Sequence, residues 1–443
     1  MVLVDATSVL TAPVAGPTGE PDRDPATALL AALASREAGS AGGPGAEAEG
    51  DERPSLLVHV ERVPARVGRR GELARPLPPE VAARLGVPHL WSHQAEAIDL
   101  ARTGRSVVVA TGTASGKSLC YQVPLAEAAR APVRSGTSLL VFPTKALAHD
   151  QLRALVERGF PGVVAGAYDG DTGPEERAWI RRNATAVLTN PEMLHSGILP
   201  HHDRWATFLG RLRYVVVDEL HAFRGIFGSH VAHVIRRLRR LAQRYGADPT
   251  FVCCSATIGE PEALASALCG VPVEPVVADG SPQGERLVAV WNPPKLDEVT
   301  GVRASANVET AGLLAELVAS GQKTIAFCRS RRATEVVASD ARRRLPPARR
   351  RRVKPYRGGY LAAERREIED DLFGGRLDGV VATSALELGI DVGGLDAVVV
   401  NGFPGTIASF WQQAGRAGRA GRPSAAVLVA GADQLDQWLA THP

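Results

Sequence analysis

A run of small and polar residues stands where a short apolar run gives way to a helical pattern, and its residue types suit phosphate binding. The run is Thr111-Gly112-Thr113-Ala114-Ser115-Gly116-Lys117-Ser118. Backbone N–H groups of such a turn can surround phosphates at the positive end of the following helix. We expect residues 113–118 to bind a nucleotide, Lys117 to reach its β- and γ-phosphates, and the Ser118 hydroxyl to ligate Mg²⁺. Loops of this kind begin with Gly where this chain has Thr111, so a flexible turn with an incidental Gly-Lys-Ser is the alternative.

Two adjacent carboxylates follow a second apolar run. Residues 214–217 are Tyr-Val-Val-Val, and Asp218-Glu219-Leu220-His221 come next. A strand that ends in two acids suits metal-assisted hydrolysis, with Asp218 holding Mg²⁺ and Glu219 polarising a water for attack on a γ-phosphate. The alternative is the first turn of a helix, where the helix dipole favours acidic residues. With a phosphate loop earlier in the chain, we favour the catalytic interpretation.

The elements that must position these residues follow a repeating pattern. Short β-branched runs alternate with helical stretches, and after a turn-rich segment the pattern resumes. The runs are 106–110, 138–142, 186–188, 214–217, 251–254, 324–328, 379–382, 397–400 and 425–429. Apolar strands alternating with helices predict parallel sheets covered on both faces, so the expected fold class is α/β. Ligands of such sheets bind at the carboxyl ends of the strands, which is where both groups of residues stand.

The chain divides into four parts. Residues 1–54 are rich in Ala, Gly, Pro and Glu without a period and predict a disordered leader, with one short helix at 26–35. We expect 55–280 to contain an N-terminal extension and the first α/β domain. Residues 281–300 are predicted to be a linker, and 301–443 the second domain.

Composition excludes several classes of protein. The 443 residues include 51 Lys and Arg against 48 Asp and Glu, so a polyanionic partner has to be argued from local clusters. Apolar runs are far shorter than the ~20 residues that span a bilayer. Five cysteines without a CxxC spacing predict neither a disulfide framework nor a zinc knuckle. We therefore expect a protein that is neither secreted nor membrane-spanning.

The phosphate loop followed by Asp218-Glu219-Leu220-His221 resembles the superfamily 2 helicases, and further segments stand in the order of that family's motifs. They are Leu90-Trp91-Ser92-His93-Gln94, Pro143-Thr144-Lys145-Ala146-Leu147-Ala148, Thr189-Asn190-Pro191-Glu192, Ser255-Ala256-Thr257, residues 382–391 and Gln412-Gln413-Ala414-Gly415-Arg416-Ala417-Gly418-Arg419. Residues 218–230 are similar to the signature of the YprA-type helicases of bacteria and fungi, a group related to DNA repair helicases. The Thr-Ala-Ser-Gly-Lys-Ser form of the loop is also usual in that group, which accounts for Thr111. Members usually continue into a cysteine-rich domain, whereas no cysteine follows Cys328 here.

The resemblance implies two tandem RecA-like domains with ATP bound between them. Gln94 would read the adenine ring, and Asp391 would contact the nucleotide. Arg416 and Arg419 follow Gln412 at helical spacing and would act as arginine fingers on the transferred phosphoryl group. The residues that would couple hydrolysis to motion are His221, Ser255, Thr257 and Gln412. For the two arginines, the alternative is a basic, solvated helix end. For the coupling residues, the alternative is a core histidine beside a capping serine.

Nucleic-acid contacts are expected where strands lead into helices. The residues are Thr144, Lys145, Thr189 and Asn190, with Thr383 in the second domain. Hydroxyls, amides and helix N-terminal N–H groups bind phosphates without reading bases, and ordinary helix N-caps are the alternative. A dense basic cluster at 342–357 predicts a further contact at Arg357, against a merely solubilising surface. Such contacts predict binding that is independent of sequence and sensitive to salt.

Together with the resemblance, these residues predict an ATP-dependent DNA helicase or translocase that uses Mg²⁺. It would move 3′ to 5′ along single-stranded DNA, serve DNA repair and work in the cytoplasm, associated with the nucleoid. Two alternatives stay open: an RNA helicase with a similar core, and a nucleic-acid clamp that binds ATP without hydrolysing it.

Overall fold

A computed structural model provides the fold and describes residues 2–3, 24–41, 55–131, 135–297, 299–360, 362–387, 394–418 and 421–442. The chain forms two lobes. The first lobe is Gly68–Ser281, and the second lobe combines Met1–Val67 with Pro282–Pro443.

Strands and helices are numbered in chain order. The strands are β1 (Val2–Leu3), β2 (Leu57–Val63), β3 (Arg70–Gly71), β4 (Leu90–Trp91), β5 (Val107–Ala110), β6 (Thr137–Val141), β7 (Ala165–Ala167), β8 (Ala186–Thr189), β9 (Leu212–Val217), β10 (Thr250–Ser255), β11 (Glu274–Val276), β12 (Arg286–Trp291), β13 (Thr324–Cys328), β14 (Val353–Tyr356), β15 (Gly379–Ala382), β16 (Ala397–Asn401) and β17 (Ser424–Val429). The α-helices are α1 (Pro25–Ala41), α2 (Pro79–Ala82), α3 (Ser92–Arg102), α4 (Ser118–Ala129), α5 (Lys145–Arg158), α6 (Pro174–Asn183), α7 (Pro191–Met193), α8 (Ala206–Leu209), α9 (Gly225–Arg244), α10 (Pro261–Cys269), α11 (Ala306–Ala319), α12 (Arg331–Arg344), α13 (Pro347–Arg350), α14 (Ala362–Phe373), α15 (Ile407–Ala414) and α16 (Gln434–Thr441). A π-helical turn, Leu194–Ile198, joins α7 to the 3₁₀ helix Leu199–Trp205, and shorter 3₁₀ turns are Leu220–Ala222 and Ser384–Leu386. No helix in the described ranges combines the length and the apolar character that crossing a membrane requires.

The first lobe is built on a parallel sheet with the order β11-β5-β10-β9-β6-β8-β7. Its central strands are short, mostly apolar runs, such as Val-Val-Val-Ala in β5, whose side chains are buried on both faces. Helices α3, α4 and α5 supply the core of one face, and α9 and α10 supply that of the other. Burial on both faces explains why the strands are continuously apolar rather than alternating, as the sequence predicts for an α/β fold.

Three neighbouring strands of this sheet carry the predicted chemistry. β5 and β9 both pair with β10, so that Val108 and Val217 are in register with Cys253. β5 leads into the phosphate loop, β9 leads into the acid pair, and β10 ends at Ser255. Because parallel strands end at the same edge of a sheet, this order brings the three segments side by side.

The second lobe has a sheet with the order β1-β2-β12-β17-β16-β13-β15-β14. The six strands from β12 to β14 in this order are parallel, whereas β2 pairs antiparallel with β12 and β1 pairs antiparallel with β2. Helices α1, α11 and α12 contribute to the core on one face, and α14 and α15 to that on the other. This lobe is also an α/β layer structure, as predicted.

The domain boundaries differ from the prediction in two places. β2 was expected to extend the first domain, but it pairs with β12 in the second lobe, with Ala289 opposite Val60. β12 itself lies inside the predicted linker 281–300, and all six of its residues pair with β17. Turn-rich segments on both sides of β12 hid this strand in the sequence. Its burial depends on neighbours from opposite ends of the chain, which no local pattern reports.

Part of the predicted disordered leader is helical. Helix α1 is longer than the helix expected at 26–35, and Leu29 and Leu33 are buried in the core of the second lobe. Arg36 forms ion pairs with Glu309 at 3.0 Å and with Glu316 at 2.8 Å, both on α11. Tertiary contacts therefore stabilise this helix, which its composition alone does not indicate.

Candidate active site

The phosphate loop has the backbone that its glycines require. Gly116 has a φ of +79°, and a Cβ there would lie 2.5 Å from Nε2 of Gln94. Thr111, which stands where Gly was expected, has no left-handed backbone, and its hydroxyl lies 2.7 Å from Oγ of Ser115. Thr111 therefore closes the loop by a side-chain hydrogen bond. Lys117 Nζ donates to the carbonyl oxygens of Thr111, at 3.0 Å, and Gly112, at 2.7 Å.

Gln94 is bound to the phosphate loop. Its Oε1 accepts from the backbone N–H of Trp91 at 2.9 Å, and its Nε2 donates to the carbonyl oxygen of Gly116 at 2.9 Å. The neighbouring His93 is fully buried and spans two segments: Nδ1 accepts from the N–H of Gly280 at 3.1 Å, and Nε2 lies 3.1 Å from the carbonyl oxygen of Ser115. The Gly280 bond leaves Nε2 as the protonated nitrogen, so it donates. Adenine recognition by Gln94 stays a prediction, whereas its contact with the loop is observed.

Asp279 also reaches the loop, and the sequence analysis missed it. Its Oδ2 accepts from the N–H of Gly112 at 3.3 Å, while Oδ1 accepts from the N–H and hydroxyl of Ser281 at 2.9 and 2.7 Å. Asp279 contacts the start of the phosphate loop at Gly112, and His93 links Ser115, near the end of the loop, to Gly280 in the same chain segment after β11. No sequence signal marks this pair, because the partners are far apart along the chain.

Asp218 is buried at the end of β9 and linked to Ser118 through two other side chains. Oδ1 accepts from the N–H of Glu219 at 2.9 Å, and Oδ2 lies 3.3 Å from the hydroxyl of Tyr121. Tyr121 and Ser118 both approach Oε1 of Gln151, at 2.8 and 3.2 Å. Burial, and then the charge of Glu219, raise the pKa of Asp218. The sequence analysis missed Tyr121 and Gln151 because both belong to helices whose pattern is otherwise apolar or solvated.

The residues present fit Mg²⁺. A hydroxyl and a carboxylate are hard oxygen ligands, and a divalent cation would compensate the charge that burial penalises at Asp218. Among the described residues, no group of three or more His, Cys, Asp and Glu side chains could hold a metal. A site with one carboxylate is typical of Mg²⁺ that is bound together with phosphates.

Glu219 and His221 lie beside the end of β10. Glu219 has a left-handed backbone, with φ +51°, and its Oε2 is 3.4 Å from Nδ1 of His221. Burial, with the charges of Lys117 and Arg224, lowers the pKa of His221 to about 4. The imidazole is therefore neutral at pH 7, and its Nδ1 lies 3.4 Å from both Oγ of Ser255 and the N–H of Ala256. The predicted cluster of His221 and Ser255 thus forms. Thr257, the third predicted member, is exposed.

Gln412 and Arg416 belong to the second lobe. Both are buried, at 4% and 5% exposure. The guanidinium of Arg416 donates to the carbonyl oxygen of Glu387, whose carboxylate accepts from Gln413 Nε2 at 2.9 Å. Glu387 therefore positions this helix end, a role the sequence analysis did not assign. Arg419 and Asp391 lie outside the described residues, so the finger and nucleotide roles of these residues and of Arg416 stay predictions.

Comparisons with known proteins bear on this arrangement. Residues 91–264 match the DEAD/DEAH box helicase family and residues 309–421 the helicase conserved C-terminal domain. The ATP-dependent helicase YprA of Bacillus subtilis is 42% identical over 380 residues, which are 83% of this chain and 51% of YprA. ATP-dependent helicase HRQ1 of Saccharomyces cerevisiae is 42% identical over 401 residues, 88% of this chain and 37% of HRQ1. A crystal structure of the DUF1998 helicase MrfA bound to DNA matches with a TM-score of 0.83 and 40% identity, covering 89% of this chain and 55% of that one.

The chain belongs to the superfamily 2 helicases, in the YprA-type group. The two family matches fall on the two lobes, which are therefore the two RecA-like domains that the resemblance implied. This helicase chain spans about half the length of YprA and of the MrfA chain.

Three of the nucleic-acid contacts predicted for this helicase are helix N-caps. Thr144 Oγ1 accepts from the N–H of Leu147 at 3.3 Å, and Asn190 Oδ1 accepts from that of Met193 at 2.8 Å. The side chain of Thr383 caps the 3₁₀ turn that follows β15. The capping alternative is thus observed at all three positions. Capping by these side chains is compatible with a contact between phosphate and the remaining backbone N–H groups at the same N-termini.

Thr189 differs from the prediction, whereas contact of Lys145 with nucleic acid stays a prediction. Thr189 is 1% exposed and its hydroxyl donates to the carbonyl oxygen of Tyr168 at 2.7 Å, so this side chain is not available to a DNA strand. It was expected to contact nucleic acid because it stands between a strand and a helix, but its hydroxyl is bonded to the segment directly after β7. Lys145 is exposed and pairs with Asp171 at 3.1 Å.

Five of the nine cations in the basic cluster at 342–357 of this helicase form ion pairs with carboxylates. Nε of Arg357 pairs with Glu335 at 2.8 Å, and its guanidinium lies 4.6 Å from the ring centre of Tyr360. Further ion pairs in the cluster join Arg343 and Arg344 to Asp340, Arg352 to Asp378, and Lys354 to Glu367 and Asp371. The pair with Glu335 favours the solubilising alternative over a contact with nucleic acid at Arg357, because this acid already compensates the charge of Arg357.

Proposed function

We propose that this superfamily 2 helicase hydrolyses ATP when it binds single-stranded DNA and uses the energy to move along DNA and separate its strands. The observation that carries the proposal is the joining of Ser118 to Asp218, through Gln151 and Tyr121, beside the ammonium of Lys117. DNA as the partner is supported by MrfA, which has been crystallised with DNA and AMPPNP and matches with a TM-score of 0.82.

Hydrolysis would proceed by attack of a water on the γ-phosphorus. The carboxylate of Glu219 accepts a proton from this water as the new P–O bond forms, and the bond to the β-phosphate oxygen breaks, leaving ADP and phosphate. Lys117 exchanges its carbonyl partners for phosphate oxygens, which are charged and therefore stronger acceptors. Mg²⁺ held by Ser118 and Asp218 would add positive charge at the β- and γ-oxygens.

The second lobe would contribute Arg416 and Arg419 as fingers and Asp391 as a nucleotide contact. These roles, together with movement in the 3′-to-5′ direction and service in DNA repair, are proposed from the resemblance to the YprA-type group. An enzyme working on chromosomal DNA would be associated with the nucleoid.

Glu219→Gln tests the catalytic assignment, because it keeps the side chain's size and removes the proton acceptor. We expect binding of ATP and DNA to be kept and DNA-stimulated kcat to fall by ~10²–10⁴-fold. The control is Glu157→Gln, an exposed acid on α5, which should leave kcat unchanged. Turnover at the unmodified rate in Glu219→Gln would remove Glu219 from the mechanism.

A second measurement separates the alternatives. ATPase rates with single-stranded DNA and with single-stranded RNA of the same sequence distinguish a DNA helicase from an RNA helicase. Strand displacement on 3′-tailed and 5′-tailed duplexes tests direction and unwinding. A chain that binds both nucleic acid and ATP but releases no phosphate would be a clamp, and the proposal would fail.

A further inference from the structure

A groove lined by arginines runs along α6 in the first lobe. It has two bays, of about 410 and 540 Å³, which share Arg181 and Arg204. Arg177 completes the arginines of the first bay, and Arg182 and Arg211 those of the second. We call these five residues and the space between them the arginine groove.

The charges of the arginine groove are not compensated by acids. Among the described residues, none of its five arginines forms an ion pair with a carboxylate, and no Asp or Glu lines either bay. Glu175, Glu176, Glu192 and Asp203 belong to the same elements but lie outside the lining. This contrasts with the basic cluster of the second lobe, where most cations have an acidic partner.

Neutral groups orient the guanidiniums instead. Arg177 donates to the carbonyl oxygen of Asp169 at 2.8 Å, and Arg181 to the hydroxyl of Tyr168 at 3.2 Å. Arg211 donates to Oγ of Ser135 at 3.2 Å. These bonds position the side chains and leave their positive charge available to an anion. Guanidiniums with open donors match the geometry of phosphate oxygens.

The groove joins two edges of the sheet. Its first bay is lined by Tyr168, directly after β7, and by Met193, at the end of α7. Its second bay is lined by Ala184, ahead of β8, and Arg211, directly ahead of β9. It therefore begins beside the Asn190 segment, at the carboxyl edge of the sheet, and leads to the opposite edge.

The lining favours a duplex over a single strand. Proteins that hold single strands offer aromatic rings on which bases stack. Tyr168, in the first bay, has the guanidinium of Arg177 at 5.4 Å from its ring centre and the ring of Trp205 at 4.9 Å. Phe208 in the second bay is 3% exposed. Neither of these two rings is open to a base, and the exposed ring in the lining is the imidazole of His201. With five arginines and one exposed ring, recognition would depend mainly on phosphates.

We propose that the arginine groove binds the phosphodiester backbone of double-stranded DNA and so holds the duplex part of a tailed substrate. The proposal rests on the proposed function in one respect, that the polyanion is DNA. It adds a second contact surface, distinct from the segments that meet the single strand.

The test compares the binding of a blunt duplex with that of a single strand of equal length. Both affinities are measured by fluorescence anisotropy, without nucleotide, at a series of salt concentrations. Arg181→Ala/Arg204→Ala alters both bays. We expect its duplex affinity to fall about tenfold and its log–log salt slope to decrease by about two, since each phosphate contact contributes about 0.9. Its affinity for the single strand should change less than about twofold.

Controls separate charge at this site from charge in general. Arg84→Ala/Arg240→Ala removes two exposed arginines of the same lobe outside the groove and should leave duplex binding unchanged. Arg181→Lys/Arg204→Lys keeps the charge and should retain most of the affinity. Should the alanine pair fold poorly, Arg204→Glu, at an exposed position, should give the same selective loss.

Three results would overturn the proposal. Unchanged duplex affinity would mean that the groove serves another partner, such as an acidic protein. An equal loss for the single strand would place the groove on the single-strand track, and an equal loss in the Arg84/Arg240 control would show a general charge effect. Because duplex titration needs no hydrolysis, a failure of DNA-stimulated ATPase activity refutes the proposed function separately.

Discussion

Lys117 has only uncharged partners among its described hydrogen bonds, the carbonyl oxygens of Thr111 and Gly112. The ammonium therefore remains within the loop and forms no ion pair with any residue that the structure describes. A nucleotide phosphate is a charged acceptor and would attract it more strongly than the carbonyls do. Lys117 can thus exchange its carbonyl partners for phosphate oxygens without first breaking an ion pair with a carboxylate.

Lys117→Ala should lose this exchange. We expect affinity for ATP to fall roughly 10- to 100-fold, the loss of a hydrogen bond to a charged group, and hydrolysis to disappear with it. Titration with a fluorescent ATP analogue measures the change. Lys145→Ala is the control, because Lys145 pairs with Asp171 away from the loop and should bind ATP normally. Hydrolysis retained in Lys117→Ala would refute the assignment of the loop.

The site residues at strand ends could be predicted from the sequence, but the residues that hold them in place could not. Lys117, Asp218 and Glu219 follow apolar runs directly, so local order reveals them. His93 bonds to Gly280, which is 187 positions away, and Asp279 bonds to Gly112 across 167 positions. Such partners become apparent only when the fold brings their segments together.

At the scale of elements, long apolar runs were predictable and short or flanked strands were not. The runs at 106–110, 214–217 and 324–328 coincide with β5, β9 and β13 to within a few residues. β7 and β11 have three residues each, and β11 contains Pro275, which weakens any strand pattern. β12 has a clear apolar pattern, but turn residues on both sides suggested a linker. Pairing with β2 and β17 is what makes it a strand of the sheet.

The stability of helix α1 depends on its packing in the second lobe. Leu33→Ala removes a fully buried side chain from the core of the second lobe, and we expect the free energy of unfolding of that lobe to fall by about 2–5 kcal/mol. Ser35→Ala, at an exposed position of the same helix, should change it by less than about 0.5 kcal/mol. Urea denaturation measures both variants. Equal stability of Leu33→Ala and the unmodified protein would show that α1 does not pack as described.

At the scale of the whole molecule, the lobes are not two successive stretches of the sequence. The sequence suggested domains that follow one another, because each apolar run was assigned to its neighbours along the chain. Instead, the second lobe takes residues from both ends of the sequence, and the first lobe lies between them. Leu57 and Val60 of β2 belong to the same core as Val427 and Val429 of β17. No property of residues 55–67 alone indicates which lobe they join.

The different construction of the lobes predicts how fragments behave. Residues 68–281 contain the whole first-lobe core on both faces of its sheet, so this fragment should unfold cooperatively in urea and bind ATP. Residues 282–443 alone would lack α1 and β2, exposing the free edge of β12 and part of the core. We expect that fragment to unfold at lower urea or to aggregate, and co-expression with residues 1–67 to restore its stability. An unfolding midpoint for 282–443 that is the same with and without residues 1–67 would contradict a second lobe assembled from both ends of the chain.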